Sequence, residues 1–269
     1  QNFCQVETTV DGPVFATPRG WEDLSRFLTV YEKLGISCDR EVVSQYIPHG
    51  RIARDFASYL ELYYKYQAHY QIDEALSGHR SEALLEQAAR APFDEKLSVI
   101  SLVLAKLNVE FRKTGKMEDS LELLFEKLKA VKERLAEDGD GTPVQRLTAF
   151  IGEVREEYEG KKQAGLLTRA QIHQYEDVCG TMDQYLLAAG EAEAQDGEAL
   201  FGMLASRFGE EREQYEDQCR AALQMVEYAF DLMEGAFGDS QEMVIFITEL
   251  NTSYDAVRFL EENLCERYY

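Results

Sequence analysis

The residue types of Thr17-Pro18-Arg19 point to chemistry more directly than any other stretch of this sequence. Proline suits the first position of a helix and threonine the N-cap before it, so these residues are predicted to open a helix. A guanidinium is always charged and fits phosphate oxygens, and a helix start adds backbone dipoles that favour an anion. The sequence allows two interpretations of Arg19: a cation that contacts a ligand, or a solvated side chain beside Glu22 and Asp23.

Tyrosine is concentrated in residues 59–70, where five occur, and four of the five recur at helical spacing on one face. Tyrosine combines a large contact area with a polar tip, which suits interfaces. The face is predicted either to bind a partner or to pack a smaller helical bundle onto a larger one. Its members are Tyr59, Tyr63, Tyr66 and Tyr70.

Motifs of the common catalytic sites are not found in the sequence. Gly115-Lys116 is followed by Met117, which offers no hydroxyl for magnesium, and no glycine stands five residues earlier, so it is not a phosphate loop. None of the four histidines follows a glutamate by three residues, as a di-iron bundle requires. We expect no catalytic residue, metal or cofactor in this chain. An enzyme with a polar site hidden in a bundle core is a weaker third hypothesis.

The charge of the chain is strongly negative and unevenly distributed. The net charge of the 269 residues is −22, which argues against binding to nucleic-acid phosphates or to an anionic membrane surface. Residues 1–80 contain 8 basic and 11 acidic side chains, whereas residues 81–269 contain 20 and 39. This shift is a first indication of a domain boundary near residue 80.

Cysteine usage and hydropathy favour a cytoplasmic protein. The five cysteines are odd in number, scattered and without a CxxC motif, so neither a disulfide framework nor a structural zinc site is expected. No apolar run approaches the length of a membrane span. Because the first residue is Gln1, we interpret the chain as a piece of a longer protein.

Four helices are predicted in residues 17–78, which makes the fold class all-α. The first is predicted over about 18–34, and Gly35 provides its C-terminal stop. Asp39 caps a second, short helix, and two more are predicted over about 51–68 and 72–76. Residues 1–16 form the only β-like patch, with a turn at residues 11–13, and are interpreted as a connector into the first helix.

Residues 79–269 have longer apolar stripes with steps alternating between three and four residues, a pattern typical of bundle helices. Short links between long helices predict an antiparallel bundle. Helix breaks are predicted at Pro92, Gly115, residues 139–141, Gly165, Gly190 and Gly238.

The segment FATPRGWEDLSRFLTVYEKLGISCDREVVSQYIPHG, with the residues that follow it, resembles the C-terminal helical lid of MoxR-like AAA+ ATPases. A small-Pro-Arg motif opens the first lid helix of that family and stands here as Thr17-Pro18-Arg19. Leu34-Gly35 followed by Asp39 and Val42 matches the family's step into the second helix. The similarity covers about residues 9–78, and residues 79–269 resemble no family.

The resemblance implies a role for Arg19 as sensor 2, the arginine that reaches from the lid toward the terminal phosphate of ATP. It also implies that ATP and Mg²⁺ bind to a parent protein, in an AAA+ core upstream of Gln1 that this chain lacks. Residues 1–16 would then be the connector from that core, 17–78 the lid, and 79–269 an acidic helical bundle for docking or regulation. Family partners include von Willebrand A-domain proteins.

Two hypotheses of function follow. In the first, the chain is the C-terminal part of a chaperone-like remodelling ATPase. The resemblance implies that this parent protein forms a hexameric ring, whereas the piece alone is expected to be a monomer or weak dimer. In the second, the chain is a free-standing helical scaffold or adaptor without nucleotide binding.

Overall fold

A computed structural model describes residues 4–9, 12–137, 140–191 and 196–268, with the backbone alone at residues 9 and 67–69. Nearly all of its regular structure is helical, which confirms the all-α fold class. The elements are β1 (Gln5–Thr9), β2 (Gly12–Ala16), α1 (Pro18–Leu34), α2 (Arg40–Tyr46), α3 (Gly50–His69), α4 (Ile72–Ala75), α5 (Glu82–Arg90), α6 (Phe93–Ala136), α7 (Pro143–Gln163), α8 (Arg169–Glu191), α9 (Gly197–Phe237), α10 (Gln241–Thr252) and α11 (Tyr254–Glu262).

The chain divides into two compact units. Unit 1 comprises Gln1–Val103 and Leu232–Met243, and unit 2 comprises Leu104–Asp231 and Val244–Tyr269. Helices α6, α9 and α10 therefore contribute residues to both units. The domain boundaries expected from the sequence, after residues 16 and 78, stay predictions.

Unit 1 begins with a β-hairpin, in which β1 pairs antiparallel with β2 and Val6 stands opposite Phe15. The turn predicted at residues 11–13 lies partly outside the described residues. Ala16, at the end of β2, is fully buried and leads directly into α1. The hydrophobic core around it is made of Ala16, Leu24, Val43, Ile47, Ile52, Ala53 and Leu60.

The local signals that predicted the first two helices are confirmed. Thr17 caps α1, which begins at Pro18, and the chain leaves the helix through Gly35 with a left-handed φ of 66°. The side chain of Asp39 accepts hydrogen bonds from the amides of Glu41 and Val42 and so caps α2. These caps depend on residues adjacent in sequence, which is why the sequence alone locates them.

Unit 2 contains the predicted antiparallel arrangement of long helices. Lys127 and Arg134 of α6 pair with Glu157 and Glu153 of α7 respectively, so residue numbers rise along one helix as they fall along the other. Phe125 of α6 stacks on Phe208 of α9 with centroids 5.8 Å apart, and Lys113 of α6 donates to Gln218 of α9, so these two helices are also antiparallel. The apolar core between α6, α7, α8 and α9 includes Leu124, Leu128, Val131, Leu147, Ile151, Val154, Val178, Met182, Leu200 and Leu204.

The helix break predicted at Gly115 is wrong, because α6 continues without interruption from Phe93 to Ala136. Glycine inside a helix costs only about 1 kcal/mol relative to alanine, which tertiary packing readily offsets. A Cβ at Gly115 would lie 3.5 Å from the guanidinium of Arg258 on α11. The glycine therefore marks the place where another helix's side chain crosses α6.

Helices α7 and α8 make a reciprocal contact that we name the tyrosine–lysine cluster. It consists of two tyrosines and two Lys–Glu pairs, Lys161–Glu157 and Lys162–Glu176. The rings of Tyr158 and Tyr175 stack with centroids 5.5 Å apart and planes 13° apart. The Tyr158 hydroxyl donates to Glu176 over 2.9 Å, and the Tyr175 hydroxyl donates to Glu157 over 3.3 Å. Each tyrosine thus bonds a carboxylate of the other helix.

The lysines complete the cluster and extend it to a third helix. Lys161 donates to Glu157 over 2.6 Å and to the Tyr175 hydroxyl over 3.0 Å. Glu157 also accepts a 2.8 Å hydrogen bond from Lys127 of α6. Hydrogen bonds from Lys127 and then Lys161 lower the pKa of Glu157 to about 2. Glu157 therefore links α6, α7 and α8 in its ionised form.

Replacing Glu157 by glutamine is expected to remove a pH-dependent contribution to stability. Because the folded pKa lies below the ordinary carboxyl value, the contribution is complete above about pH 5 and disappears as the pH falls toward 2. The carboxylate is partly exposed, so solvent screening limits the effect to roughly 1 kcal/mol at pH 7. Urea unfolding followed by circular dichroism between pH 2 and pH 7 measures it. Glu156→Gln, one residue earlier on an exposed face, should change the pH profile little, and equal profiles for both variants would contradict the assignment.

Candidate functional site

The α1 start, residues 17–20, presents a charged side chain on a well-fixed helix terminus. The hydroxyl of Thr17 accepts a 3.1 Å hydrogen bond from the amide of Gly20, and Pro18 occupies the first helical turn. The Arg19 side chain is 88% exposed. Its Nε lies 3.6 Å from Oδ2 of Asp23, one turn further along α1, which makes a weak surface ion pair. The structure thus places Arg19 at the surface, available to an anion.

Gly20 fixes the α1 start against the end of α2. A Cβ at this position would lie 2.4 Å from the backbone carbonyl oxygen of Tyr46 and 3.3 Å from the Thr17 hydroxyl. A backbone carbonyl that ends a helix cannot move aside as a flexible side chain can. Glycine is therefore required for the first turn of α1 to approach α2 this closely, and this approach sets the position of Arg19.

His49 joins the hairpin to the N-terminus of α3. It is 3% exposed, and its amide donates to the Phe15 carbonyl over 3.2 Å. Its Nδ1 accepts from the Ile52 amide over 3.5 Å, and its Nε2 lies 3.1 Å from Oε2 of Glu7. The ring has a structural role, since both nitrogens are used within unit 1. The sequence did not reveal this role, because Glu7 is 42 positions away from His49.

The tyrosine face of α3 is partly covered by the first turns of α6, within unit 1. Tyr70 is 1% exposed, and its hydroxyl donates to Glu95 over 2.7 Å. Burial and this hydrogen bond raise the pKa of Tyr70. Tyr59 and Tyr63 line a cavity of about 140 Å³ together with Leu97 and Leu102.

The exposed part of this face is Tyr59, of which 53% is accessible. The ring of Tyr63 lies 6.1 Å from that of Tyr59, and the rings of Tyr66 and Tyr70 are 6.3 Å apart, so the four follow one another along the helix. Whether a partner binds the exposed end of this face stays a prediction.

Arg258 of α11 is at the centre of a charged group that sequence reasoning missed. It donates to Oε2 of Glu118 over 2.5 Å and to Oδ1 of Asp119 over 2.8 Å. The hydrogen bond to Asp119 contributes most to raising the pKa of Arg258. Glu262 is hydrogen-bonded to Glu118 beside it, which raises the pKa of Glu262. These contacts attach α11 to α6 and are structural, since the guanidinium is already occupied by carboxylates.

Over the part of the chain that the structure describes, no three His, Cys, Asp or Glu side chains are grouped to hold a metal ion. None of the helices there combines the length and apolar character that crossing a bilayer requires. All five cysteines are free.

Comparison of the chain with protein-family models, with curated proteins and with solved structures finds no match. The function of the α1 start is therefore inferred from the residues of this chain alone.

Gly20→Ala is expected to destabilise unit 1, because the added methyl group meets the Tyr46 carbonyl. Overpacking against backbone of this kind costs about 1–3 kcal/mol. Thermal and urea unfolding measure the loss. Gly50→Ala is the matched control, since a Cβ at Gly50 meets nothing within 4 Å. If Gly20→Ala unfolded at the same denaturant concentration as Gly50→Ala, the close approach of α1 to α2 would be refuted.

Tyr70→Phe should lower stability by about 1 kcal/mol or somewhat more, because it leaves the Glu95 carboxylate without the phenol that donates to it. Equilibrium unfolding of the purified chain tests this. Tyr66→Phe serves as the control, and a change within about 0.5 kcal/mol is expected for a partly exposed side chain. Equal effects of the two substitutions would argue against a specific Tyr70–Glu95 bond.

Proposed function

We propose that this chain supplies the lid and a helical docking or regulatory region of a MoxR-like AAA+ ATPase, a chaperone-like remodelling protein. In this proposal Arg19 is sensor 2 and contacts the terminal phosphate of ATP held by a core that belongs to the parent protein. The chain alone has no ATPase activity. The parent binds ATP and Mg²⁺, acts in the cytoplasm, forms a hexameric ring and works with a von Willebrand A-domain protein.

The observation that carries the proposal is the geometry of the α1 start. Arg19 lies in the first turn of α1, its side chain is 88% exposed, and its ion pair with Asp23 is long at 3.6 Å. A guanidinium in this position can exchange an exposed carboxylate for phosphate oxygens at small cost. The positive end of the α1 helix dipole favours the same anion.

The rigid attachment of the α1 start also supports a sensor role. Gly20 packs against the Tyr46 carbonyl, and Ala16 is buried immediately before the helix. A phosphate contact at Arg19 would therefore act on the whole small bundle rather than on a loose side chain. Loss of that phosphate on hydrolysis would weaken the contact and let the lid rotate.

A free-standing helical scaffold is the second candidate. The length of α6, 44 residues, and of α9, 41 residues, favours it, because long exposed helices offer extended surfaces to partners. In that case Arg19 has no ligand, and the tyrosine face or the acidic surface of the long helices would be the functional part.

In the parent protein, Arg19→Ala is expected to reduce steady-state ATP turnover by about tenfold to a hundredfold, the value of one charge-assisted hydrogen bond. The matched control is Arg26→Ala, because Arg26 lies two turns further along α1 and is paired with Glu22 over 2.8 Å. The control should retain normal turnover and nucleotide-dependent lid movement. Arg19→Lys should recover only part of the activity, since an ammonium cannot bind two oxygens in a fork.

Two results would each refute one part of the proposal. One is a parent reading frame without a Gly-Lys-Ser/Thr phosphate loop, which would leave the scaffold hypothesis. The other is unchanged ATP turnover and unchanged lid movement in Arg19→Ala. This result would reject the sensor role, whereas the family assignment would still be tested by the search for the phosphate loop.

A further inference from the structure

A cleft between α6, α8 and α9 lies entirely within unit 2 and has a volume of about 600 Å³. Pockets that bind small organic molecules have volumes of about 300–1,000 Å³ and are largely apolar. We refer to it as the α6–α8–α9 cleft. Its apolar lining comes from Val109, Met117, Leu121, Leu124 and Val178.

The exposure of the apolar lining increases from the hydrophobic core to the mouth of the cleft. Leu124 and Val178, which are 3% and 1% exposed, belong to the hydrophobic core of the long helices and form the floor. Val109 at the mouth is 58% exposed. Isolated exposed valines are ordinary, but this one continues a buried apolar surface out to solvent. An apolar ligand body could therefore lie along the cleft and bury this side chain.

The α6 edge of the cleft is cationic, although the chain as a whole carries a charge of −22. Arg112 is neutralised by Asp255, whose Oδ2 lies 2.9 Å from its Nε. Lys113 donates to the neutral side-chain oxygen of Gln218 over 2.5 Å and keeps two further donors. Lys116 is exposed and forms no ion pair that the structure records among its described residues. Lys113 and Lys116, which have no recorded carboxylate partner among the described residues, thus lie beside the apolar lining of the α6–α8–α9 cleft.

The opposite edge of the cleft carries Asp177 of α8 and Glu211 of α9. These two carboxylates line the same cleft and would repel a second negative charge on a ligand. The charge pattern therefore suits a ligand with a single negative charge at the α6 edge and an apolar body over Leu124 and Val178.

We propose that the α6–α8–α9 cleft binds a monoanionic amphiphile, a carboxylate attached to an aliphatic chain, with Lys113 and Lys116 holding the carboxylate. This inference depends on unit 2 alone and is independent of the nucleotide role of Arg19. The cleft would give the long-helix region a small-molecule ligand in addition to any protein partner.

The probe for the test is sodium decanoate, measured by isothermal titration calorimetry with the full chain below the critical micelle concentration. We expect a Kd below about 1 mM for decanoate and much weaker binding of butyrate, which shares the head group but lacks the apolar body. Decylamine and decanol, with the same chain and a positive or neutral head, should bind at least about tenfold more weakly than decanoate.

Charge-reversal variants locate the head group. Lys113→Glu and Lys116→Glu are each expected to weaken decanoate binding at least about tenfold and to improve binding of decylamine. Lys129→Glu, an exposed lysine of the same helix outside the cleft, should leave both affinities unchanged. Thermal unfolding of each variant verifies that the chain is folded.

Val109→Asp tests the cleft without altering a buried side chain, since Val109 is largely exposed. It should weaken decanoate binding, whereas Leu187→Asp, at a leucine of α8 that is 72% exposed and outside the cleft, should not. The proposal is overturned by the absence of decanoate binding at millimolar concentration. It is equally overturned by tighter binding of decylamine than of decanoate, or by an affinity that Lys113→Glu, Lys116→Glu and Val109→Asp all leave unchanged.

Discussion

The constraint on which unit 2 depends is that apolar stripes on very long helices have to be covered along their whole length. Helix α6 has 44 residues and is therefore about 66 Å long, more than any single short helix can cover. Helices α7, α8 and α9 cover its stripe around Leu124 and Leu128. Closer to its middle the cover comes from α11, where Phe111 stacks on Phe259 with centroids 4.8 Å apart. Because consecutive helices have to cover the same apolar stripe, they run antiparallel and are joined by short loops.

Apolar stripes of leucine and valine do not by themselves prevent helices from sliding past one another, because one leucine fits much like the next. Polar contacts at the edges of the stripes fix the register instead, as charged flanking positions do in coiled coils. Glu157 joins three helices, and Arg146 of α7 donates to the carbonyls of Arg134, Leu135 and Glu137, where α6 ends. Each of these contacts is possible at one helix register only.

The sequence predicted well what neighbouring residues decide. The caps at Thr17 and Asp39 and the stop at Gly35 are local signals, and each lies where it was predicted. The alternating apolar steps correctly predicted long helices but not their bounds, because α6 runs through the predicted break. The prediction of a break at Gly115 failed because the helix interior tolerates a glycine where tertiary contacts support it. Three features could not be predicted: the contact of buried His49 with the exposed Glu7, the tyrosine–lysine cluster and the α6–α8–α9 cleft. Each depends on which distant elements become neighbours and in what register. For the candidate site, the position of Arg19 in the first helical turn was predictable from the sequence, but its exposure and the close approach at Gly20 were not.

The contrast between Arg19 and Arg258 explains why we propose a ligand for the first and a structural role for the second. The Arg258 side chain is 28% exposed and is held by two carboxylates at hydrogen-bond distance, so separating them would leave partly buried charges without these partners. Arg19 has one recorded carboxylate neighbour at 3.6 Å, and exposed pairs of this kind contribute less than about 1 kcal/mol. An arginine acts as a sensor only if its resting contact is weaker than its contact with the ligand. Of the two, Arg19 alone satisfies that condition, and the backbone beneath it is fixed while its side chain is free to move.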